Sequence, residues 1–322
     1  MSVDVRYEGR TVSVAAGATV LDGLEQAGVV VPSSCRAGVC QFCMMRVVEG
    51  PVPPRSQDGL KDSLKASGHF LACVARPEAA LTCEPAHVTA FRGPVTIAEI
   101  CGIGPDIARI RFVRPAAFEF SPGQFLTLRR DDGLGRSYSI AAGTADFFDL
   151  HVRHVANGRM SGWLHRDARP GDQLWAEGPK GDCMYYPGSP EESLTLVGTG
   201  TGMAPLFAIA DDAVRQGHMG PIVIYQGALS ESRLYLVDEL QALAARGADV
   251  RYVRCLLQGK ASEGVVIGDL KDIVLSDLPK SPAQRAYLCG EPGLVRDLKR
   301  RLFLRGISYR KIHADPFVGA DD

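Results

Sequence analysis

The 322-residue sequence carries no marked excess of either charge: 36 Lys and Arg stand against 37 Asp and Glu, and no run of basic residues stands out. That balance excludes the electrostatic footprint expected of a nucleic-acid binder or of a protein held on an anionic membrane surface. It also lacks any run of about 20 apolar residues, the length needed to span a bilayer. The N-terminus, MSVDVRYEGR, has acidic residues and no apolar core, unlike a secretory signal. Internal repeats and low-complexity tracts are absent. No 2-His-1-carboxylate or haem-attachment pattern is visible, so oxygen activation has no home in this chain. These absences lead to the expectation of a cytoplasmic protein without nucleic-acid or membrane partners. There, nine cysteines point to metal or redox work rather than to a disulfide framework.

The length predicts two or three domains. Val3, Val5 and Tyr7 alternate, the turn Glu8-Gly9 follows, and Thr11 to Val14 alternates again, which reads as a hairpin. Thr19 to Gly28 reads as a short helix closed by glycine. Phe70 to Val74 reads as a short buried strand. At Phe91 to Pro94 the character changes. Short alternating strands then follow between Gly/Pro turns, at Ile107 to Val113, Gln124 to Leu128 and Phe148 to Val155, which predicts a small antiparallel barrel or sandwich. The polar stretch Gly188 to Glu192 marks a second boundary. Beyond it, strands at Leu194 to Val197, Pro221 to Tyr225, Val250 to Cys255 and Ala286 to Cys289 alternate with helices to about Gln216 and at Arg233 to Arg246. That alternation predicts a parallel sheet covered by helices. The expected domains are 1–90, 94–187 and 191–322.

Cys35, Cys40 and Cys43 have the spacing C-x4-C-x2-C, and 29 residues intervene before Cys73. This is the spacing of plant-type 2Fe–2S ligation. Two sulfide-bridged irons need four converging thiolates, and small residues such as Ala37 and Gly38 let backbone N–H groups turn toward the sulfurs. A zinc site made of four cysteines more often shows two C-x2-C pairs. Cys83, Cys101, Cys183 and Cys255 stand alone in sequence and read as small core hydrophobes.

Two nucleotide-type patterns follow. Arg136-Ser137-Tyr138-Ser139 precedes His151-Val152-Arg153 and the loop Gly158-Arg159-Met160-Ser161 at the start of a predicted helix. A flavin pyrophosphate needs a cation and N–H donors at a helix start, which Arg136 and Gly158 to Ser161 can supply. Tyr138 and Ser139 can face the isoalloxazine. Tyr138 by itself reads first as an ordinary strand aromatic, and it is the order of these elements that favours the flavin. Gly198-Thr199-Gly200-Thr201-Gly202 follows a strand and opens a helix, where glycines let the backbone approach a pyrophosphate. The spacing is not G-x-G-x-x-G. Cys289-Gly290 ends another strand of the same sheet, where a nicotinamide would sit.

Taken together, from Val3 to about Val318, these residues resemble the reductase components of bacterial Rieske-type ring-hydroxylating oxygenases and related monooxygenases. The likeness extends to naphthalene and terephthalate dioxygenase reductases. It rests on Arg136-Ser-Tyr-Ser139, Leu150 to Val155, Gly200 to Pro205, Ala286 to Gly290 and Ile312 to Phe317. The resemblance implies a β-grasp plant-type ferredoxin, an antiparallel β-barrel for FAD and a parallel α/β domain for NADH or NADPH. It also implies an electron relay to a separate terminal oxygenase. By the same likeness Arg136 contacts FAD phosphates, Tyr138 and Ser139 contact the isoalloxazine, and Gly158 to Ser161 hold the pyrophosphate. Gly198 to Gly202 would hold the dinucleotide, Cys289 would lie near the nicotinamide, and Phe317 would cover or flank the flavin. Two departures stand out. Gln41-Phe42 follows Cys40 where relatives often carry glycine, and Arg233 stands where many carry an acid, which leaves NADH and NADPH both open. The same relay serving a haem monooxygenase or a deoxysugar dehydrase is the nearest rival. A non-turnover iron–sulfur sensor is the rival of another class.

Overall fold

The computed structural model describes residues 2–33, 35–38, 41, 43–86, 91–246, 249–278 and 283–317. The chain divides into two compact units, Met1–Val88 and Thr89–Asp322.

The first unit is a mixed sheet with two short helices. β1 (Ser2–Tyr7) and β2 (Arg10–Ala15) form the expected hairpin, and both turn residues, Glu8 and Gly9, have positive φ. The twist of such a turn matches that of the flanking strands. The helix α1 (Val20–Gln26) starts at Thr19, whose hydroxyl accepts from the Asp22 N–H while the Asp22 carboxylate accepts from the Thr19 N–H. That reciprocal cap satisfies two N–H groups that a helix start otherwise leaves unpaired. β3 (Met44–Glu49), α2 (Asp62–Ala66), β4 (His69–Leu71) and β5 (Leu81–Pro85) complete the unit, with strand order β2-β1-β5-β3-β4. β4 is shorter than expected: it stops at Leu71, and Ala72 to Val74 form a turn that carries Cys73.

The second unit opens with a closed antiparallel barrel. Its strands are β6 (Phe91–Gly102), β7 (Ile107–Val113), β8 (Phe125–Arg129), β9 (Gly135–Gly143), β10 (Phe147–Arg153) and β11 (Gln173–Lys180), in the order β10-β7-β6-β11-β8-β9. Phe91 to Pro94 are therefore the first residues of a strand rather than a break. The interior is filled by Phe112 stacked on Phe148 at 5.1 Å, with Phe118 tilted against Phe148 at 5.0 Å. A single helix, α3 (Arg159–Arg166), lies between β10 and β11.

The rest of the unit is a three-layer α/β sandwich. β12 (Ser193–Thr199), β13 (Ile222–Ala228), β14 (Val250–Leu256), β15 (Val265–Ile267), β16 (Gln284–Gly290) and β17 (Ile312–Pro316) run parallel in the order β15-β14-β13-β12-β16-β17. Leu206 and Ile209 of α4 (Met203–Arg215) and Leu240 and Leu243 of α5 (Val237–Arg246) cover one face. Val274 of α6 (Leu270–Asp277) and Val295, Leu298 and Leu302 of α7 (Pro292–Leu304) cover the other. Every residue of β16 is buried, as expected for a strand sandwiched between helices. The chain winds outward from β12 to β15 and then returns to the other side of β12 as β16. That reversal opens a crevice at the carboxyl ends of β12 and β16, the usual ligand position in open α/β sheets.

Arg233 is not helical: it ends a 3₁₀ turn, Glu231–Arg233, and α5 begins at Val237. Glu192 looks like a solvated boundary residue in sequence but is 1% exposed, because Arg285, equally buried, pairs with it at 2.5 Å and Lys311 reaches it as well. Arg285 also lies 3.7 Å over the Tyr186 ring. A buried carboxylate survives only with such partners.

Candidate functional site

The cysteine loop hangs between α1 and the β3–β4 ladder. Met44 pairs with Leu71, and the Ala72 N–H donates to the Cys43 carbonyl at 3.1 Å, so the strand register brings Cys43 and Cys73 together. Both are buried, while Cys35 is exposed. The loop is bent by left-handed residues, Arg36 (φ 50), Gly38 (φ 73) and Gln41 (φ 63). α1 steadies it: Glu25 receives the Arg36 guanidinium at 2.7 Å and Asp22 lies 3.7 Å away. The bends turn N–H groups toward sulfur, with Ala37 donating to Cys35 Sγ at 3.4 Å. Burial, then a hydrogen bond with Cys43, pushes the Cys73 thiol up to about 11, with Cys43 and Cys35 charges adding to it; the Gly38 N–H pulls the other way.

Cys40 and Phe42 lie outside the described residues. Among the described residues no three His, Cys, Asp or Glu side chains form a metal-holding group. What is described still suits a thiolate-held cluster. Soft sulfur donors stand near one another, and N–H groups are aimed at the charge they would carry.

β9 carries Arg136, Ser137, Tyr138 and Ser139 along the barrel. Arg136 and Ser137 are exposed, with Arg136 Nη1 on its neighbour's carbonyl and Ser137 Oγ 3.1 Å from Thr127 Oγ1. Tyr138 packs half-buried against the barrel core, and burial raises its phenol pKa. Ser139 Oγ donates to Asp315 Oδ2 on β17 at 2.9 Å, joining barrel to sheet. Burial lifts the Asp315 carboxyl to about 6, with Ser139 acting to lower it and Asp182 to raise it. Asp315 lies in the tail Ile312 to Phe317 that carries part of the resemblance, but its pairing with Ser139, 176 residues away, left no sequence signal.

Gly158 precedes α3 without a side-chain cap, so the first N–H groups of α3 have no capping side chain. Arg159 is exposed and pairs with Asp132 at 3.4 Å. The side chains of Met160 and Ser161 point elsewhere: Met160 lies in the barrel core, and Ser161 Oγ accepts from the Val155 N–H at 3.1 Å. Only their backbone N–H groups are then available to an anion.

His151 is half-buried, and burial pulls its pKa down to about 4, so the ring is neutral near pH 7. Among the described residues its buried Nδ1 has no hydrogen-bond partner, so it is left able to accept or donate one. The ring lies edge-on to Tyr235 at 5.9 Å, and Tyr235 OH donates to the Thr201 carbonyl. Arg153, read in sequence beside the flavin motif, instead lies against the glycine loop: a Cβ on Gly200 would stand 1.4 Å from its Nη2.

The loop Gly198 to Gly202 ends β12 as a 3₁₀ turn and opens α4, again with no side-chain cap. By contrast α6 and α7 are capped by Asp269 and Glu291. Gly198 pairs with Cys289 in the ladder. A Cβ on Gly202 would lie 2.5 Å from the Cys289 carbonyl oxygen, so close packing on β16 demands glycine there. Cys289 is fully buried, which raises its thiol pKa, and its Sγ is 3.8 Å from that of Cys183. Cys183 is thus not alone in space. Of the others read as core, Cys83 and Cys255 are buried but Cys101 is exposed. The Phe317 N–H donates to the Gly290 carbonyl at 2.8 Å, returning the chain end to this crevice.

Beyond the loop a cavity of about 650 Å³ opens at the carboxyl ends of the strands, lined by Arg153, Thr199, Gly200, Leu229 and Arg233 among others. Its size is that of a small-molecule site. It suits an extended ligand with an anionic centre at Gly200, where Arg153 and the uncapped α4 start both favour negative charge.

Known proteins match these parts in the same order. A 2Fe-2S iron-sulfur cluster binding domain matches residues 3–78, an oxidoreductase FAD-binding domain 94–185 and an oxidoreductase NAD-binding domain 196–300. The ferredoxin–NAD(P)(+) reductase component of the naphthalene 1,2-dioxygenase system of Pseudomonas putida is 31% identical over 328 residues, covering 98% of each chain. The reductase subunit of an aromatic O-demethylase from Amycolatopsis is 31% identical, over 99% of this chain and 100% of that one. The crystal structure of an Amycolatopsis cytochrome P450 reductase superposes with a TM-score of 0.66 at 30% identity, over 99% of both chains. The chain therefore belongs to the family of NAD(P)H-dependent reductase components that join a 2Fe–2S domain to FAD- and NAD-binding oxidoreductase domains.

Proposed function

We propose that this protein oxidises NAD(P)H in the cytoplasm and delivers the electrons, through FAD and a 2Fe–2S cluster, to a Rieske-type aromatic-ring-hydroxylating oxygenase. The observation that carries this reading is full-length likeness to a naphthalene dioxygenase reductase component, with all three cofactor domains in one order. Among the described residues no helix is long and apolar enough to cross a membrane. One cofactor is assigned to each of segments 1–90, 94–187 and 191–322.

When bound, the flavin accepts electrons from the nucleotide in pairs and the cluster carries them singly, and the protein's part is binding, order and distance. Arg136 and the first N–H groups of α3, from Gly158 to Ser161, would hold the FAD pyrophosphate, helped by Arg159. Tyr138 and Ser139 would meet the isoalloxazine, with neutral His151 offering Nδ1. The Ser139 hydroxyl is oriented by Asp315 Oδ2, and a carboxyl titrating at about 6 can hold or release a proton near neutrality. Gly198, Thr199, Gly200, Thr201 and Gly202 would cradle the dinucleotide with Arg153. Cys289 and Gly290 would flank the nicotinamide and Phe317 the flavin. Cys35, Cys40, Cys43 and Cys73 would ligate the cluster.

A second reading, supply of a haem monooxygenase, is favoured by the likeness to the Amycolatopsis P450 reductase. Anaerobic titration of the purified protein with NADH and NADPH tests the relay. Bleaching of flavin and cluster absorbance is expected, and a colourless protein would overturn it. Turnover with a purified Rieske oxygenase but not with a P450 would decide between acceptors.

A further inference from the structure

We propose that Asp106, a barrel residue, sets the choice of nucleotide by occupying Arg233, so that the protein takes NADH in preference to NADPH. The inference rests on the nucleotide-binding reading above.

In dinucleotide-binding α/β sheets the end of the second strand faces the adenosine ribose. A carboxylate there binds the ribose hydroxyls, and a cation there accommodates a 2′-phosphate. Here that strand is β13, and its loop ends in Arg233, whose guanidinium lines the cavity. Taken by itself, Arg233 would invite the phosphate of NADPH. It is not by itself. Asp106, in the turn before β7, reaches across from the barrel and places Oδ2 3.3 Å from Arg233 Nη1. The Asp106 backbone is pinned, its carbonyl accepting from the His154 N–H at 2.7 Å, which keeps the carboxylate at the cavity rim.

The remaining charges of the wall agree. Lys271 is 3.5 Å from Asp297 and 3.7 Å from Asp269. Glu291 is engaged by the Gly293 and Leu294 N–H groups of α7. The wall thus presents four carboxylates against three cations, and among the described residues Arg153 alone of those cations has no carboxylate partner. Arg153 lies at Gly200, where the pyrophosphate of either nucleotide would sit. A 2′-phosphate at the other end would have to break an existing ion pair and face the displaced Asp106. Arg233 and Asp106 are 58% and 36% exposed, so the discrimination is screened by solvent and salt. Exposed pairs of this kind shift an equilibrium by up to about five-fold.

The test measures binding of AMP and of adenosine 2′,5′-bisphosphate, which differ only by the 2′-phosphate, to the FAD- and cluster-loaded protein by calorimetry at low ionic strength, beside kcat/KM for NADH and NADPH. The wild type is expected to favour AMP and NADH. D106N should narrow both preferences by about five-fold, and the gain should shrink at high salt. R233A should weaken the bisphosphate, and D106N/R233A should lose the gain of D106N. A wild type that favours NADPH, or a D106N variant that moves both ligands alike, would overturn the Asp106 assignment while leaving the reductase reading intact. Failure of both nucleotides to bind would overturn the two together.

Discussion

A carboxyl at position 315 is held between opposing influences. Burial raises its pKa to about 6, and the Ser139 hydroxyl that it accepts draws it down. An unfolded Asp ionises near about 3.9. Between about pH 4 and 6 the folded protein therefore keeps a proton that the unfolded chain releases, and stability falls as pH rises through that window. D315N keeps an acceptor for Ser139 and cannot ionise. Its unfolding free energy should exceed the wild type's at pH 7.5, with an advantage about 1 kcal/mol larger than at pH 5.0, by urea denaturation. An advantage that does not change with pH would refute this reading of Asp315. The same local logic governs His151, whose low pKa means that it meets any ligand as a neutral ring.

Among the elements, the turn from β12 to α4 has little tolerance for added bulk. Gly202 has an ordinary helical φ of −61°, so what it supplies is space and not backbone freedom. A Cβ there would stand 2.5 Å from the Cys289 oxygen, 2.6 Å from its carbonyl carbon and 2.8 Å from the Gly290 nitrogen, all of them backbone atoms of β16 that no rotamer can move. Overpacking of this kind costs about 1–3 kcal/mol. G202A should lower the thermal midpoint and raise KM for NAD(P)H, because the loop must lift away from β16. An unchanged KM in a folded variant would show that the loop does not touch the nucleotide. A G-x-G pattern suggests phosphate contact, whereas its packing role depends on β16, more than 80 residues later.

At the scale of the molecule, one compact unit holds the cysteine loop and the other holds barrel and sheet. The cores of the two units do not mix: Leu21, Phe70 and Met45 serve the first, while other residues fill the barrel and the sheet of the second. Damage to the cluster should therefore leave flavin reduction standing. In C73S, NADH-driven ferricyanide reduction should stay within about two-fold of wild type while cytochrome c reduction falls at least about ten-fold and cluster absorbance is lost. Equal loss of both activities would mean that the units are not energetically separate.

The succession of β-rich unit, antiparallel barrel and parallel sheet was legible because its signals are local. Alternation marks β1, β2 and β7, apolar runs mark β12 and β13, and C-x4-C-x2-C lies within nine residues. Features that depend on distant partners were not legible. Glu192 reads as surface until Arg285 and Lys311 close on it, and Arg233 reads as helical and as an open cation until Asp106 meets it. The sequence by itself determined which residue types are present for iron, flavin and nucleotide, and in what order, since spacing and periodicity are properties of neighbours along a chain. Only the tertiary structure decided which charges are already spent, which glycines serve packing, and that Ser139 and Asp315 share a hydrogen bond. Those depend on pairs that the closed barrel and the parallel sheet bring together from far apart, and a linear pattern carries no record of them.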